Sequence, residues 1–174
     1  MTANTNLFAA LRGAFPGDLD RVAIETDTGQ AYTWRDLDRG TAMLANLLRA
    51  LELPAGSRIA AHTDKSVEAL MLYLATLRAG HVYLPLNSAY QATEVGYFIG
   101  DAEPAVVVCA SRNFSWLSKI AFRAGTRHVF TLDDHGSGSR AICTMHADDG
   151  QHQSRRRPAR RLSGRPRPRR HRNR

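Results

Sequence analysis

Lys65 to Asn87 reads KSVEALMLYLATLRAGHVYLPLN, and the order of elements in it decides the fold. Val67, Leu70, Met71, Leu74 and Leu77 recur at helical spacing, which predicts a helix with one apolar side that a sheet must cover. Gly80 follows the last periodic residue, where a left-handed cap suits a residue without a side chain, and Arg78 favours the negative end of the helix dipole. Val82, Tyr83 and Leu84 then run into Pro85. Proline has no N–H for a central ladder, so this strand should be short or lie at a sheet edge.

Upstream, Arg58 to His62 reads as a short buried strand, with Thr63 or Asp64 placed to cap the helix that follows. Downstream, Thr93 opens a helix through Val95, Phe98 and Ile99, weakened by Gly96. AVVVC, Ala105 to Cys109, is an unbroken apolar run of the kind found inside parallel sheets. Phe114 to Ala124 is helical with Gly125 as its stop, and His128 to Leu132 is a last strand. Strands alternating with helices in this way argue for right-handed crossovers: an α/β fold, a mainly parallel sheet with flanking helices.

Nearer the start, Leu7, Phe8, Leu11 and Phe15 line one side of a short helix that Pro16 and Gly17 end. Val22 to Thr26 and Gln30 to Thr33 form a hairpin about Asp27-Thr28-Gly29, with Gly29 supplying positive φ and Asp27 a local side-chain bond. Thr33 and Asp36 make a capping pair for a helix that buries Leu37, Leu44, Leu47, Leu48 and Leu51.

The length of 174 residues suits one domain. The formal charge of +8 misleads until it is located, because residues 155–174 hold eleven arginines and no acid, leaving 13 basic against 16 acidic residues elsewhere. Basicity belongs to the tail. After Asp134 apolar periodicity is lost in a Gly, Ser, His, Pro and Arg mixture, which cannot repay the entropy of ordering, so a disordered basic C-terminal tail is expected over 135–174. Two cysteines, Cys109 and Cys143, give no disulfide framework and suit a reducing cytoplasm. No run is long and apolar enough for a membrane span, and the N-terminus lacks the basic and apolar regions of a signal peptide.

Two stretches carry a family resemblance. LRAGHVYLPLN, residues 77–87, resembles the second core motif of the adenylate-forming acyl-CoA synthetases, the AMP-binding superfamily, and AYTWRDLD, residues 31–38, resembles the first. The longer run from Lys65 to Cys109 is most similar to the malonyl-CoA synthetase branch, and the likeness covers residues 5–134. It implies that residues 1–134 are a partial N-terminal subdomain of that fold, in which Tyr32, Leu37, Gly80 and Pro85 have structural roles. For the intact relative it implies a carboxylic acid, with malonate the expected one, plus ATP, Mg²⁺ and CoA, giving acyl-CoA, AMP and pyrophosphate.

The family's phosphate loop, of the form Y-T-S-G-T-T-G with a Lys soon after, has no counterpart in the sequence, nor have the later nucleotide segments, hinge and catalytic Lys. Adenylation needs such a cradle of backbone donors, so no catalytic, cofactor-binding or metal-binding residue is carried over, and no cofactor is expected on this fragment. Gly136-Ser137-Gly138-Ser139 follows two aspartates and precedes no Lys, which reads as flexible loop. Cys143, His146 and His152 lack a fourth ligand at zinc-finger spacing. Lys65 could meet an anion at a helix start, although solvated lysine is the ordinary reading; His62 and His81 flank apolar strands, where a structural role is the ordinary one.

The abrupt change at Asp134 gives the expectation of a frameshifted, inactive synthetase fragment. The alternative is a small nucleic-acid-associated protein whose Arg-rich arm binds polyanions nonspecifically and with salt dependence. A third is a synthetase split across two polypeptides.

Overall fold

The two inner strands of the sheet are buried on both faces. In a computed structural model that describes residues 6–132, β3 (Arg58–His62) lies between β4 (Val82–Pro85) and β5 (Val106–Cys109), and β5 is followed by β6 (His128–Thr131). The order is β4-β3-β5-β6 and every pairing is parallel, with Ile59 opposite Tyr83 and Val106, and Val107 opposite Val129. Pro85 closes an edge strand, where its missing N–H costs the ladder least.

Alternation then sorts side chains between two helical layers. Ile59, Ala61, Val106, Val108 and Phe130 face α2 (Trp34–Ala50) and α3 (Val67–Arg78). Ala60, Val107, Cys109 and Val129 face α4 (Ala92–Ala102) and α5 (Phe114–Arg123). Both faces are covered, as a parallel sheet requires. Leu48 and Leu72 seal one core, Ile99 and Leu117 the other, all with no exposed surface.

A two-stranded antiparallel hairpin, β1 (Val22–Glu25) and β2 (Ala31–Thr33), precedes α2, and α1 (Leu7–Gly13) lies against α3. The Thr33–Asp36 capping box on α2 is present in full: Asp36 N–H donates to the Thr33 hydroxyl at 3.1 Å, and Thr33 N–H to the Asp36 carboxylate at 2.9 Å.

Several local expectations are corrected. The N-cap of α3 is Ser66, whose Oγ accepts from Ala69 N–H at 3.1 Å; Thr63 and Asp64 lie too far upstream. In the hairpin the local bond comes from Thr26, which accepts from Gln30 N–H at 3.0 Å, while Gly29 takes positive φ as expected. α1 ends at Gly13, before Pro16, and buries Phe8 alone while Leu7 and Leu11 are exposed. Leu70 of α3 is exposed as well, whereas Glu68, Leu72, Ala75 and Thr76 are buried, because α3 is covered by neighbours on more than one side. α4 starts at Ala92, one residue early. Leu47 and Leu51 are only half-buried. Gly136 to Ser139, Cys143, His146, His152 and the tail lie outside the described residues.

Candidate functional site

β3 is followed by a helix on one face of the sheet, and both of its neighbours, β4 and β5, are followed by helices on the other. The chain therefore leaves the carboxyl ends of these strands in opposite directions, and the loops part into a crevice, the place where open α/β sheets take ligands.

On the β4 side of that crevice lies an open groove of about 670 Å³, lined by Lys65, Ser66, Tyr73, Tyr83, Pro85 and Asn87 among others. Lys65 is exposed at the rim, just before α3. Glu68 belongs to the first turn of α3, where the helix dipole favours a negative charge, but its carboxylate turns inward to accept from the Tyr32 hydroxyl at 3.1 Å. Tyr73 and Tyr83 meet edge to face with ring centroids 5.2 Å apart, and burial raises the pKa of Tyr83 above its ordinary value of 10.0, so its hydroxyl keeps its proton at neutral pH. Asn87 accepts from Ala89 N–H at 3.0 Å and fixes the turn after the strand.

On the β5 side, Arg112 reaches across to Asp64 at 2.6 Å. This pair is largely exposed and is worth at most about 1 kcal/mol, so it aligns two loops more than it stabilises them. His62 is buried, with Asn113 Nδ2 at 3.3 Å from its Nδ1. Its ring stands edge-on to Trp116, centroids 5.7 Å apart. Nε2 has no protein partner.

Of the residues singled out from the sequence, Lys65 and Pro85 line the groove, Tyr32 braces it from beneath through Glu68, and His62 lies at the neighbouring strand end. Leu37 is buried in the α2 core, and Gly80 (φ 82) and His81 lie at the opposite, amino end of the sheet. Sequence reading missed Tyr73, Tyr83 and the Asp64–Arg112 pair. The tyrosines are ordinary apolar residues to a periodicity count, and an ion pair across 48 positions has no sequence signal.

The ligands that the resemblance implies can be tested against these residues. The loops after β3, β4 and β5 contain no glycine, and among the described residues no three His, Cys, Asp or Glu side chains converge as a metal site. These loops thus offer no glycine-rich backbone for close approach to phosphates, and Asp64, in the loop after β3, is paired with Arg112. The groove can hold a partly apolar group beside one cation, but it offers no nucleophile–base pair. No helix among the described residues is long and apolar enough to cross a membrane.

Comparison with known proteins agrees with the geometry. Residues 14–163 match the AMP-binding enzyme family. MatB from Rhodopseudomonas palustris is 48% identical, with a TM-score of 0.71 over 78% of this chain and 27% of its own, and it has also been solved with ATP bound. The non-ribosomal peptide synthetase CmlP from Streptomyces venezuelae is 34% identical over 108 residues, 62% of this chain and 10% of its own. A benzoate CoA ligase from Burkholderia xenovorans, at 20% identity and a TM-score of 0.68 over 75% of this chain and 26% of its own, shares the fold. The chain thus spans about a quarter of the MatB chain and a tenth of the peptide synthetase. By sequence and by fold the chain belongs to the AMP-binding enzyme family, and its fold matches the N-terminal part of the adenylate-forming fold.

Proposed function

We propose that this sequence is the N-terminal region of an acyl-CoA ligase of the malonyl-CoA synthetase type, which joins malonate to CoA at the expense of ATP and releases AMP and pyrophosphate. The observation that carries the reading is 48% identity to MatB across 78% of the chain, at a TM-score of 0.71. On this reading the ligase-derived unit is residues 1–134, shaped by Tyr32, Leu37, Gly80 and Pro85, and the Arg-rich stretch of sequence follows it, while the family match itself runs on to residue 163. The sequence contains no Y-T-S-G-T-T-G segment, and this reading therefore assigns turnover, in the cytoplasm, to the intact enzyme.

The test has two arms. Purified protein of this sequence, incubated with malonate, ATP, Mg²⁺ and CoA, is expected to release no pyrophosphate above a no-acid control. Malonate-dependent release would overturn the assignment of inactivity. Translating the locus beyond codon 134 in all three frames is expected to uncover a Y-T-S-G-T-T-G segment, and its absence from every frame would sink the ligase-fragment reading.

A further inference from the structure

The amino end of the sheet holds a feature that the groove does not use. α3 ends in a Schellman motif: Gly80 N–H donates to Leu77 O and His81 N–H to Thr76 O, both at 3.0 Å, with Gly80 in the left-handed region. The residue after the glycine in this motif usually turns an apolar side chain back onto the helix. Here it is an imidazole, 8% exposed, whose Nδ1 has no protein partner.

The charges on the elements around it are mostly positive. Arg49, at the end of α2, donates to Arg78 O at 2.9 Å. Arg78, on α3 itself, is bonded to Asp38, and Asp38 is shared with Arg12. Arg58, which opens β3 beside β4, donates to Ala102 O at 2.9 Å. Glu52 and Glu103, which follow α2 and α4, are exposed.

We infer that His81 is an acid-sensitive latch on the seam where α2, α3 and β4 meet. A proton taken up there charges a ring that is 8% exposed, in the turn whose Arg78 carbonyl already accepts from the exposed Arg49 and where no carboxylate among the described residues pairs with it, and β4, which begins at the next residue, loosens from β3. The cost of burial, reinforced by Arg49, holds the ring's pKa below its ordinary value of 6.5. The folded state thus favours the neutral ring: the latch is closed above pH 6.5 and is released as pH falls from there through the lower folded value. Because β4 carries Tyr83 and Pro85 into the groove, release at the amino end is felt at the carboxyl end.

The experiment uses the full 174-residue chain. NMR titration of the His81 Cε1–H and pH-dependent amide exchange in β4, corrected for the intrinsic chemical rate, are measured for wild type, Arg49→Gln and His81→Phe. The expected result is a wild-type midpoint below 6.5, β4 exchange accelerating by about tenfold per unit of midpoint shift as pH falls, and a midpoint moved upward in Arg49→Gln. His81→Phe, with an apolar ring at a position that favours one, should flatten the pH dependence. A wild-type midpoint at or above 6.5, no movement in Arg49→Gln, or an unchanged pH dependence in His81→Phe overturns the latch. The Arg49 variant keeps the test decisive should the phenylalanine variant not fold.

Discussion

Gly40 shows how closely the two helices of the first layer approach. A Cβ built at this position of α2 would lie 2.5 Å from Met71 Sδ and 3.2 Å from its Cε. Alanine gains about 1 kcal/mol over glycine in a helix interior, but overpacking a filled core costs about 1–3 kcal/mol. Met71 is buried, so its thioether would have to shift within the core. Gly40→Ala is therefore expected to lower stability by about 1 kcal/mol in urea unfolding, and Met71→Ala in the same chain should recover part of that loss, a coupling that a double-mutant cycle reads directly. A raised midpoint in the single variant would show that the thioether has space.

Asp38 is the second residue whose surroundings set its chemistry. Burial pushes its pKa up, but hydrogen bonds and charge from Arg12 and Arg78 outweigh that, so its carboxyl titrates below the ordinary 3.8. A depressed carboxylate stabilises the fold above pH 3.8, and that contribution is lost as pH falls through the lower folded value. Because the side chains are only partly buried, the network is expected to contribute about 1–2 kcal/mol. Asp38→Asn should remove this amount near neutral pH and flatten the acid limb of a stability profile between about pH 5 and 2, and an unchanged acid limb would assign the acid sensitivity to other groups.

Among the elements, α2 is specified twice, by its cap and by its buried stripe. Thr33→Ala removes the side-chain half of the capping box and should cost about 1 kcal/mol. Leu48→Ala empties a site with no exposed surface and should cost about 2–5 kcal/mol, so the ratio of the two effects separates cap from core. α3 owes its position to contacts outside its own sequence. Tyr32, from the hairpin, bonds Glu68 in its first turn, and Tyr32→Phe strips that hydroxyl from a buried carboxylate, at an expected cost of about 1–3 kcal/mol in thermal or urea melts. Near-neutrality of Tyr32→Phe would mean that Glu68 is satisfied without the tyrosine.

For the whole molecule, Leu7, Met43, Leu70, Tyr97 and Phe122 are exposed among the described residues, and β4 and β6 are open edges of the four-stranded sheet. The chain is expected to self-associate with rising concentration in size-exclusion chromatography with light scattering. A concentration-independent monomer with one sharp cooperative melt would contradict this.

The alternation of apolar residues along the chain was enough to determine an α/β fold with a parallel sheet, because burial on both faces forces apolar runs and glycine stops that periodicity exposes. Gly80, Gly125, the Thr33–Asp36 box and the edge position of Pro85 were legible for the same reason: each is a local requirement of backbone geometry. Only the tertiary structure decided which faces were covered, and so why Leu70 stands exposed while Glu68 is buried. It alone placed Tyr73, Tyr83, Lys65 and Asn87 around one groove and Arg49 against the Arg78 carbonyl, since those neighbours are set by strand order and helix packing, which no local pattern encodes.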